Sequence, residues 1–181
     1  MKIIITYASA GTGHRRAAEA IYNYFRENCP TSDLKIIDAL QKTNFIFSRL
    51  YSYGYLFLVN HALWLWHFCF WLTSVKALRP ATNILICVIN RLNAKNFSNL
   101  LIKERPDFII STHFFPPQIA TRLKRINKLN SKLVTVITDF GIHPFWISGG
   151  TDMYIVASDL SKKQLILEGA QENIIKDFGI P

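Results

Sequence analysis

The beginning of the sequence restricts the fold more than any other part. Ile3-Ile4-Ile5 opens a short β-branched run, which is typical of a strand buried on both faces of a parallel sheet. Glycines follow, and residues 14–28 then carry apolar side chains at three- to four-residue spacing, which predicts an amphipathic helix. Residues 34–37 form a second apolar run. This order predicts a right-handed βαβ unit and therefore a parallel sheet.

The same alternation returns in the second half of the chain. Strands are predicted at 108–110, 133–137 and 154–156, and helices at 117–128 and 158–168. Alternating strands and helices at both ends of a 181-residue chain fit one domain. We therefore predict an α/β fold, a Rossmann-like doubly wound parallel sheet.

The middle of the chain differs from both ends. No acidic residue lies between Asp38 and Glu104, whereas seven lysines and arginines do, within a formal net charge of +9. Residues 50–75 carry no charge, and 19 of these 26 residues are apolar. Three of the four tryptophans lie here. We predict an inserted apolar, aromatic-rich helical segment at about residues 44–92.

A basic and aromatic segment favours an anionic partner, either lipid or nucleic acid. Nucleic acid fits less well, because the aromatic run has no interleaved lysine or arginine. The run is long enough to cross a bilayer. However, a single crossing would separate the first strands from the later ones, which we expect in one sheet. A peripheral membrane surface is favoured, and a helix pair packed on the sheet or on a partner chain is the alternative.

Polar residues recur every seven positions through the apolar run, at Tyr53, Asn60, His67 and Ser74. On a helix they would form a narrow polar stripe opposite a broad apolar face. Tryptophan favours the interfacial zone of a bilayer, and flanking cations favour an anionic leaflet. The predicted membrane-docking residues are Arg49, Trp64, Trp66, Phe70, Trp71, Lys76 and Arg79.

A glycine-rich loop, Gly11-Thr12-Gly13-His14-Arg15, lies between the first strand and the first helix. Ligands of open α/β sheets bind at the carboxyl ends of strands, and glycines let another group approach the backbone. The loop is neither G-x-G-x-x-G nor a Walker P-loop. A histidine at this helix entry is a candidate general base, and the alternative is a capping histidine in a structural glycine turn.

Polar residues also follow two later strands. Asp139 comes after one of them, with His143, Pro144 and Trp146 close behind it, and His113 follows another. These side chains are expected in the same crevice as His14, where Asp139 orients a catalytic histidine or holds a substrate hydroxyl. The structural alternatives are a helix-capping Asp and a buried histidine whose ring nitrogens are hydrogen-bonded within the protein. The three cysteines lack metal-ligand spacing, so no metal is predicted.

Three blocks of the sequence resemble a known family. Residues 11–21 resemble the glycine-rich loop and first helix of the monogalactosyldiacylglycerol synthases, and are similar to the bacterial processive diacylglycerol glucosyltransferases. Residues 136–158 (Val-Ile-Thr-Asp, His-Pro-Phe-Trp, then Asp-Met-Tyr-Ile-Val-Ala-Ser) resemble a second block, and Ile-Ile-Ser-Thr-His at 109–113 a third. The blocks occur in the family's order over essentially the whole chain.

The resemblance implies the N-terminal, acceptor-side half of an inverting GT-B glycosyltransferase over residues 1–178, with an interdomain hinge beginning at 179–181. It implies no cofactor and no essential metal. The co-substrate would be a nucleotide sugar, such as a UDP-hexose, bound mainly by a C-terminal donor domain that is absent here. By carry-over His14 is the general base, and the acceptor-side cleft is lined by Gly11, Thr12, Gly13, Arg15, His113, Asp139, His143, Pro144 and Trp146.

The expected acceptor is diacylglycerol or a similar lipid alcohol, reached from the cytoplasmic side of a membrane by a peripheral protein. Transferase activity is expected only with a donor half, supplied in cis or as a separate subunit. One rival is a non-catalytic membrane-binding or partner-scaffolding module of the same fold. A weaker rival is a nucleotide-binding protein that uses the loop at 11–15 directly.

Overall fold

A six-stranded, all-parallel sheet organises the protein. The computed structural model describes residues 1–9 and 11–181, with every side chain there except that of residue 55. The strands are β1 (Lys2–Tyr7), β2 (Asp33–Asp38), β3 (Phe108–Ser111), β4 (Lys132–Val136), β5 (Met153–Ile155) and β6 (Ile175–Lys176). The α-helices are α1 (Thr12–Asn28), α2 (Phe45–His61), α3 (Leu63–Ser74), α4 (Arg79–Asn93), α5 (Lys95–Glu104), α6 (Phe115–Arg125) and α7 (Asp159–Leu167).

The strand order is β2-β1-β3-β4-β5-β6, so the chain first adds β2 to one side of β1 and later adds β3 to the other. The junction of β1 and β3 is the topological switch point, where an open α/β sheet forms its ligand crevice. Ile3 and Ile5 pack towards α1 on one face of the sheet. Ile4 and Ile109 pack towards α5 and α6 on the other. Helices on both faces confirm the predicted doubly wound, Rossmann-like sheet.

Most predicted elements lie within a few residues of the observed ones, and three differences are informative. Helix α6 ends at Arg125 rather than at residue 128, because Asn127 adopts a left-handed conformation (φ 55°) and its N–H bonds to the Lys124 carbonyl. Helix α5 and the two-residue strand β6 were not predicted. Helix α5 buries Phe97 and Leu101 and completes one layer of the core.

The middle of the chain, between β2 and α5, forms three helices, α2 to α4, which we call the outer helices. The predicted polar stripe on one continuous helix is wrong, because the helix breaks at Ala62 and α3 leaves α2 at 117°. Among the described residues no single helix is long and apolar enough to span a bilayer; α2 and α3 reach that length only when taken together.

Candidate functional site

The glycine-rich loop lies at the carboxyl end of β1, beside the switch point, and continues directly into α1. Gly11, Thr12 and Gly13 are solvent-exposed. A Cβ added at either glycine would meet no other atom within 4 Å, so the protein's own packing does not require glycine here. The N-cap residue of α1 is Gly11, which has no side chain to cap the helix. The loop therefore leaves open space and free backbone N–H groups at the crevice.

His14, in the first turn of α1, is held through one ring nitrogen. Its Nδ1 lies 2.8 Å from the backbone carbonyl oxygen of Thr112 and 2.7 Å from Oγ1 of Thr138. A carbonyl oxygen can only accept, so Nδ1 carries the proton in this hydrogen bond. The neutral ring then keeps its lone pair on Nε2. The site thus fixes the tautomer that a general base needs.

Thr112 and Thr138, which were not among the predicted site residues, connect the ends of three strands. Thr112 follows β3 and also donates its hydroxyl to the His14 carbonyl at 2.7 Å. Thr138 lies just beyond β4. Their position directly after predicted strands was the available signal, but the carbonyl that orients His14 belongs to the backbone and has no signature in the sequence.

His113 forms one wall of the site. Its ring is buried and meets the His14 ring edge-on, with the centroids 4.7 Å apart. Nδ1 accepts the Phe115 backbone N–H at 3.1 Å. Burial, together with the nearby charge of His14, holds the pKa of His113 well below its ordinary 6.5. His113 is therefore neutral at physiological pH and places no positive charge beside His14.

Asp139 and Trp146 form a second wall. The Trp146 indole Nε1–H donates to Oδ2 of Asp139 at 3.0 Å, and its buried ring lies 6.2 Å from the His14 ring centroid. Asp139 thus holds Trp146, and the orientation of His14 comes from Thr112 and Thr138. The cluster of His14, Thr112, His113, Thr138, Asp139 and Trp146 is hereafter the His14 cluster.

The other predicted cleft residues lie around this cluster. Arg15 is exposed and pairs with Glu19 on α1 at 2.7 Å. Pro144 begins the 3₁₀ turn Pro144–Trp146 that carries the indole. His143, directly before that turn, is buried, and its ring packs 4.3 Å from the Phe70 ring of α3. Burial lowers the pKa of His143 below 6.5.

The outer helices present apolar side chains to solvent. Neither α3 nor α4 has a fully buried residue. Of the predicted docking residues, Trp64 and Trp71 are 74% and 60% exposed. Exposed large apolar side chains on these helices also include Phe45, Ile46, Leu50, Phe57, Phe68, Ile84, Leu85, Val88 and Leu92. Large exposed apolar side chains concentrated on neighbouring helices are typical of an interaction site.

The cations and rings predicted to flank this surface have different environments. Arg49 lies over the Phe45 ring at 4.4 Å, and Lys76 is exposed. Arg79 is partly buried and pairs with Glu168, which directly follows α7. This ion pair ties the start of α4 to the sheet domain, that is, the six strands with α1 and α5 to α7. Trp66 is half-buried, with its ring 6.1 Å from the Phe70 ring.

Helix α4 is amphipathic, but unlike a helix of a globular core it turns most of its apolar side chains away from the protein. Its polar side chains Asn83, Asn90 and Arg91 line a cavity of about 220 Å³ against α6 and the loop after Trp146. The Asn90 side-chain amide donates to Oε1 of Gln118 at 2.8 Å. The apolar side chains of Ile84, Leu85, Val88 and Leu92 on α4 are all exposed. Polar residues of α4, together with the half-buried Ile86, therefore face this cavity, and most of the large apolar side chains of α4 face solvent.

That cavity is positively charged. Among the described residues that line it are Arg91, Arg122 and Arg125, and none of these lining residues is Asp or Glu. Within the described part of the chain, none of these arginines forms an ion pair with Asp or Glu. A guanidinium group binds phosphate or carboxylate in a bidentate way, with two N–H groups donating to two oxygens. Across residues 1–9 and 11–181, no three His, Cys, Asp or Glu side chains are placed to hold a metal ion.

Known proteins resemble this chain over nearly its full length. The sequence profile of the family described as monogalactosyldiacylglycerol (MGDG) synthase matches residues 14–181. The processive diacylglycerol beta-glucosyltransferase of Staphylococcus carnosus is 28% identical over 99% of this chain and 44% of its own length. The probable chloroplastic monogalactosyldiacylglycerol synthase of Glycine max is 30% identical over 99% of this chain and 34% of its own length.

Among solved structures, the apo form of the lipopolysaccharide outer core galactosyltransferase WaaB matches 99% of this chain and 45% of its own with a TM-score of 0.56. The identity is 14%, so this likeness concerns the fold alone, that of one half of a GT-B glycosyltransferase. The chain spans less than half the length of these relatives.

Proposed function

Because the chain belongs to the monogalactosyldiacylglycerol synthase family, we propose that it is the acceptor- and membrane-binding half of an inverting glycosyltransferase. The enzyme would move a hexose from a nucleotide sugar, such as a UDP-hexose, to diacylglycerol or a similar lipid alcohol. The observation that carries the proposal is the tautomer of His14, whose Nδ1 is tied to a backbone carbonyl at the switch point of the sheet. The diacylglycerol-directed names of the relatives support the acceptor.

In the proposed reaction the acceptor hydroxyl lies against Nε2 of His14. As the hydroxyl oxygen forms its bond to the anomeric carbon, its proton moves to Nε2. The bond between that carbon and the phosphate oxygen breaks, and the nucleoside diphosphate leaves from the opposite face, which inverts the centre. The Thr112 carbonyl stabilises the imidazolium through Nδ1–H. Such a base contributes about 10²–10⁴ in rate.

We propose that the outer helices bring this site to a membrane. Removing apolar surface from water is favourable by about 25 cal/mol for each Å². The solvent-facing apolar side chains of α4 are available for such burial. The rings of Tyr51 on α2 and His113 are 6.3 Å apart, so the outer helices adjoin the His14 cluster. The arginine-lined cavity supports a preference for anionic phospholipids, at roughly 1 kcal/mol for each cation near the leaflet.

The donor side of the reaction is proposed to lie in a second half, in cis after a hinge at residues 179–181 or on a separate subunit. Accordingly this chain alone is expected to give no transfer. The protein is proposed to bind the cytoplasmic side of the membrane. A non-catalytic membrane-binding or partner-scaffolding module of the same fold would share the apolar surface and would not need the geometry around His14.

The test is glycolipid formation by this chain together with a donor-binding half, on vesicles that contain diacylglycerol. His14→Ala should lower kcat by about 10²–10⁴, because it removes the base, and vesicle binding should be unchanged. His67→Ala, at an exposed histidine of α3, is the matched control and should keep kcat.

A variant at His14 with near-normal kcat would refute the base. Vesicle binding without any turnover by the wild type would favour the non-catalytic module. Tight nucleotide binding by this chain alone would favour direct use of the glycine-rich loop, since an acceptor half should bind nucleotide weakly.

A further inference from the structure

His143 joins the outer helices to the loop that carries Trp146. On one side, its Nε2 lies 3.1 Å from Oγ1 of Thr73, and its ring packs against Phe70, both on α3. On the other side, its Nδ1 accepts the backbone N–H of Phe145 at 3.2 Å, which caps the 3₁₀ turn. One buried ring therefore contacts both regions of the molecule.

The hydrogen bonds around His143 admit one arrangement of protons. Nδ1 accepts from a backbone N–H, so in the neutral ring the proton is on Nε2. The Thr73 hydroxyl lies 2.9 Å from the Cys69 carbonyl and 3.0 Å from the Phe70 carbonyl, and donates towards them. Its lone pairs are then free to accept Nε2–H. The link between α3 and the turn is directional and satisfied at each atom.

The turn leads directly to the His14 cluster. Phe145 is fixed by two further contacts, since its carbonyl accepts from Gln118 at 3.3 Å and its ring lies 4.3 Å from the His143 ring. The next residue, Trp146, donates to Asp139 and adjoins His14. A displacement of His143 would therefore move the wall formed by Trp146 and Asp139.

We propose that His143 is a positioning residue, which couples the placement of α3 to the geometry of the acceptor pocket beside His14. Thr73 holds His143, His143 holds the turn, and the turn holds Trp146 and Asp139. Because α3 also carries the exposed Trp64 and Trp71, the seating of α3 on a membrane and the shape of the pocket are linked. This inference rests on the proposed function for its catalytic consequence.

The matched test is Thr73→Val against Thr73→Ser in the complete enzyme. Valine keeps the size of the side chain and removes the hydroxyl that accepts from His143, which leaves only the weaker contact with the Phe70 carbonyl, whereas serine keeps the hydroxyl. Loss of one neutral hydrogen bond predicts a kcat lower by about 2- to 10-fold for Val, with KM for the lipid acceptor little changed. Ser should restore kcat. An unchanged kcat in Val, an equal loss in Ser, or an effect on KM alone would overturn the proposal.

A second variant tests the same link from its other end. In His143→Asn the shorter side chain can still accept the Phe145 N–H but does not reach Thr73. It should lower kcat as Thr73→Val does, and the double variant should lose little more, because both changes remove the same bond. Fully multiplicative losses would show that the two residues act independently and would refute the coupling.

A readout that does not depend on activity separates this inference from the proposed function. The indole N–H resonance of Trp146 reports its bond to Asp139. Thr73→Val should shift this resonance in the NMR spectrum of the intact protein, and Thr73→Ser should leave it near its wild-type position. If the wild-type complete enzyme, with its donor-binding half, transfers no sugar, the proposed function fails, and the coupling is still judged by this signal. An indole resonance that Thr73→Val does not move refutes it.

Discussion

Helices α6 and α4 pack beside each other and are both amphipathic. The apolar side chains of α6 face the core, whereas most of those of α4 face solvent. Helix α6 buries Phe115, Ile119 and Leu123 in the core of the sheet domain. Helix α4 turns its polar side towards α6 and leaves Ile84 and Leu92 66% and 73% exposed. Amphipathicity alone thus does not say which face of a helix meets the protein.

The difference separates two uses of apolar area. Burial on α6 stabilises the fold in water, at about 1.5–3 kcal/mol for each fully buried aliphatic side chain. The same side chains on α4 contribute little to folding, because they remain in contact with water in the folded chain. The free energy of removing these side chains from water is therefore still available when they enter a membrane. In this molecule folding and the proposed docking therefore draw on different residues.

The largest effect that distinguishes the two helices is expected from one substitution made in both. Leu123→Ala should lower the free energy of unfolding by about 2–5 kcal/mol, because it leaves a cavity in a closed core. Leu92→Ala should change it by less than about 0.5 kcal/mol, since the side chain is exposed. Urea denaturation of both variants measures the contrast.

Vesicle co-sedimentation of the same pair should give the reverse order. Leu92→Ala removes apolar area from the proposed docking face, and partitioning should fall by roughly 10-fold. Folded Leu123→Ala protein should bind vesicles like the wild type. A large loss of stability in Leu92→Ala would mean that α4 is part of the folding core, and the contrast between the helices would fail.

The arginine-lined cavity between α4 and α6 gives the next largest effect. Replacing Arg91, Arg122 and Arg125 with Gln removes three charges at one place. At about 1 kcal/mol each, binding to anionic vesicles should fall by roughly 100-fold at low salt, and the salt dependence should weaken. Binding to neutral vesicles should persist through the apolar surface. Titration of protein against the two kinds of vesicle measures both.

The matched control removes three charges elsewhere, at Arg26, Lys103 and Lys176, which are exposed on α1, α5 and β6. This variant has the same net charge as the cavity variant. If both lose anionic binding equally, only net charge matters and the cavity has no specific part. If neither loses it, the preference for anionic lipid is wrong.

The sheet domain was largely predictable because its local patterns and its tertiary structure agree. The β-branched run at Ile3 to Ile5, the glycine loop and the stripe on α1 each predicted an element that the structure contains. The end of α6 was missed because it depends on one residue, Asn127, in a left-handed conformation. The orientation of α4 was beyond sequence pattern, since the stripe is the same whichever face meets the protein.

The His14 cluster was predictable in part for a similar reason. Strand ends converge at the switch point, so His14, His113 and Asp139 were expected near one another. Their pairing was not predictable. The backbone carbonyl of Thr112 orients His14, and every residue has such a carbonyl. Asp139, for which orienting a catalytic histidine was one of two expected roles, accepts a hydrogen bond from Trp146 instead.

The smallest expected effect concerns two buried histidines. His113 lies within the sheet domain, and His143 lies where that domain meets the outer helices. Both His113 in the sheet domain and His143 beside α3 have pKa values lowered by burial below 6.5. The unfolded chain therefore binds more protons than the folded one as pH falls through 6.5, so their contribution to stability is complete above that pH and is lost below it.

Each histidine should add a slope of up to about 1.4 kcal/mol per pH unit to the free energy of unfolding as the pH falls below 6.5. His113→Asn should remove its slope from global denaturation, because His113 lies in the folding core. For His143 the loss should appear first as faster exchange of the Trp146 indole N–H, since protonation of Nδ1 breaks the cap at Phe145. Equal behaviour of both histidines in both measurements would mean that the outer helices and the sheet domain unfold as one unit.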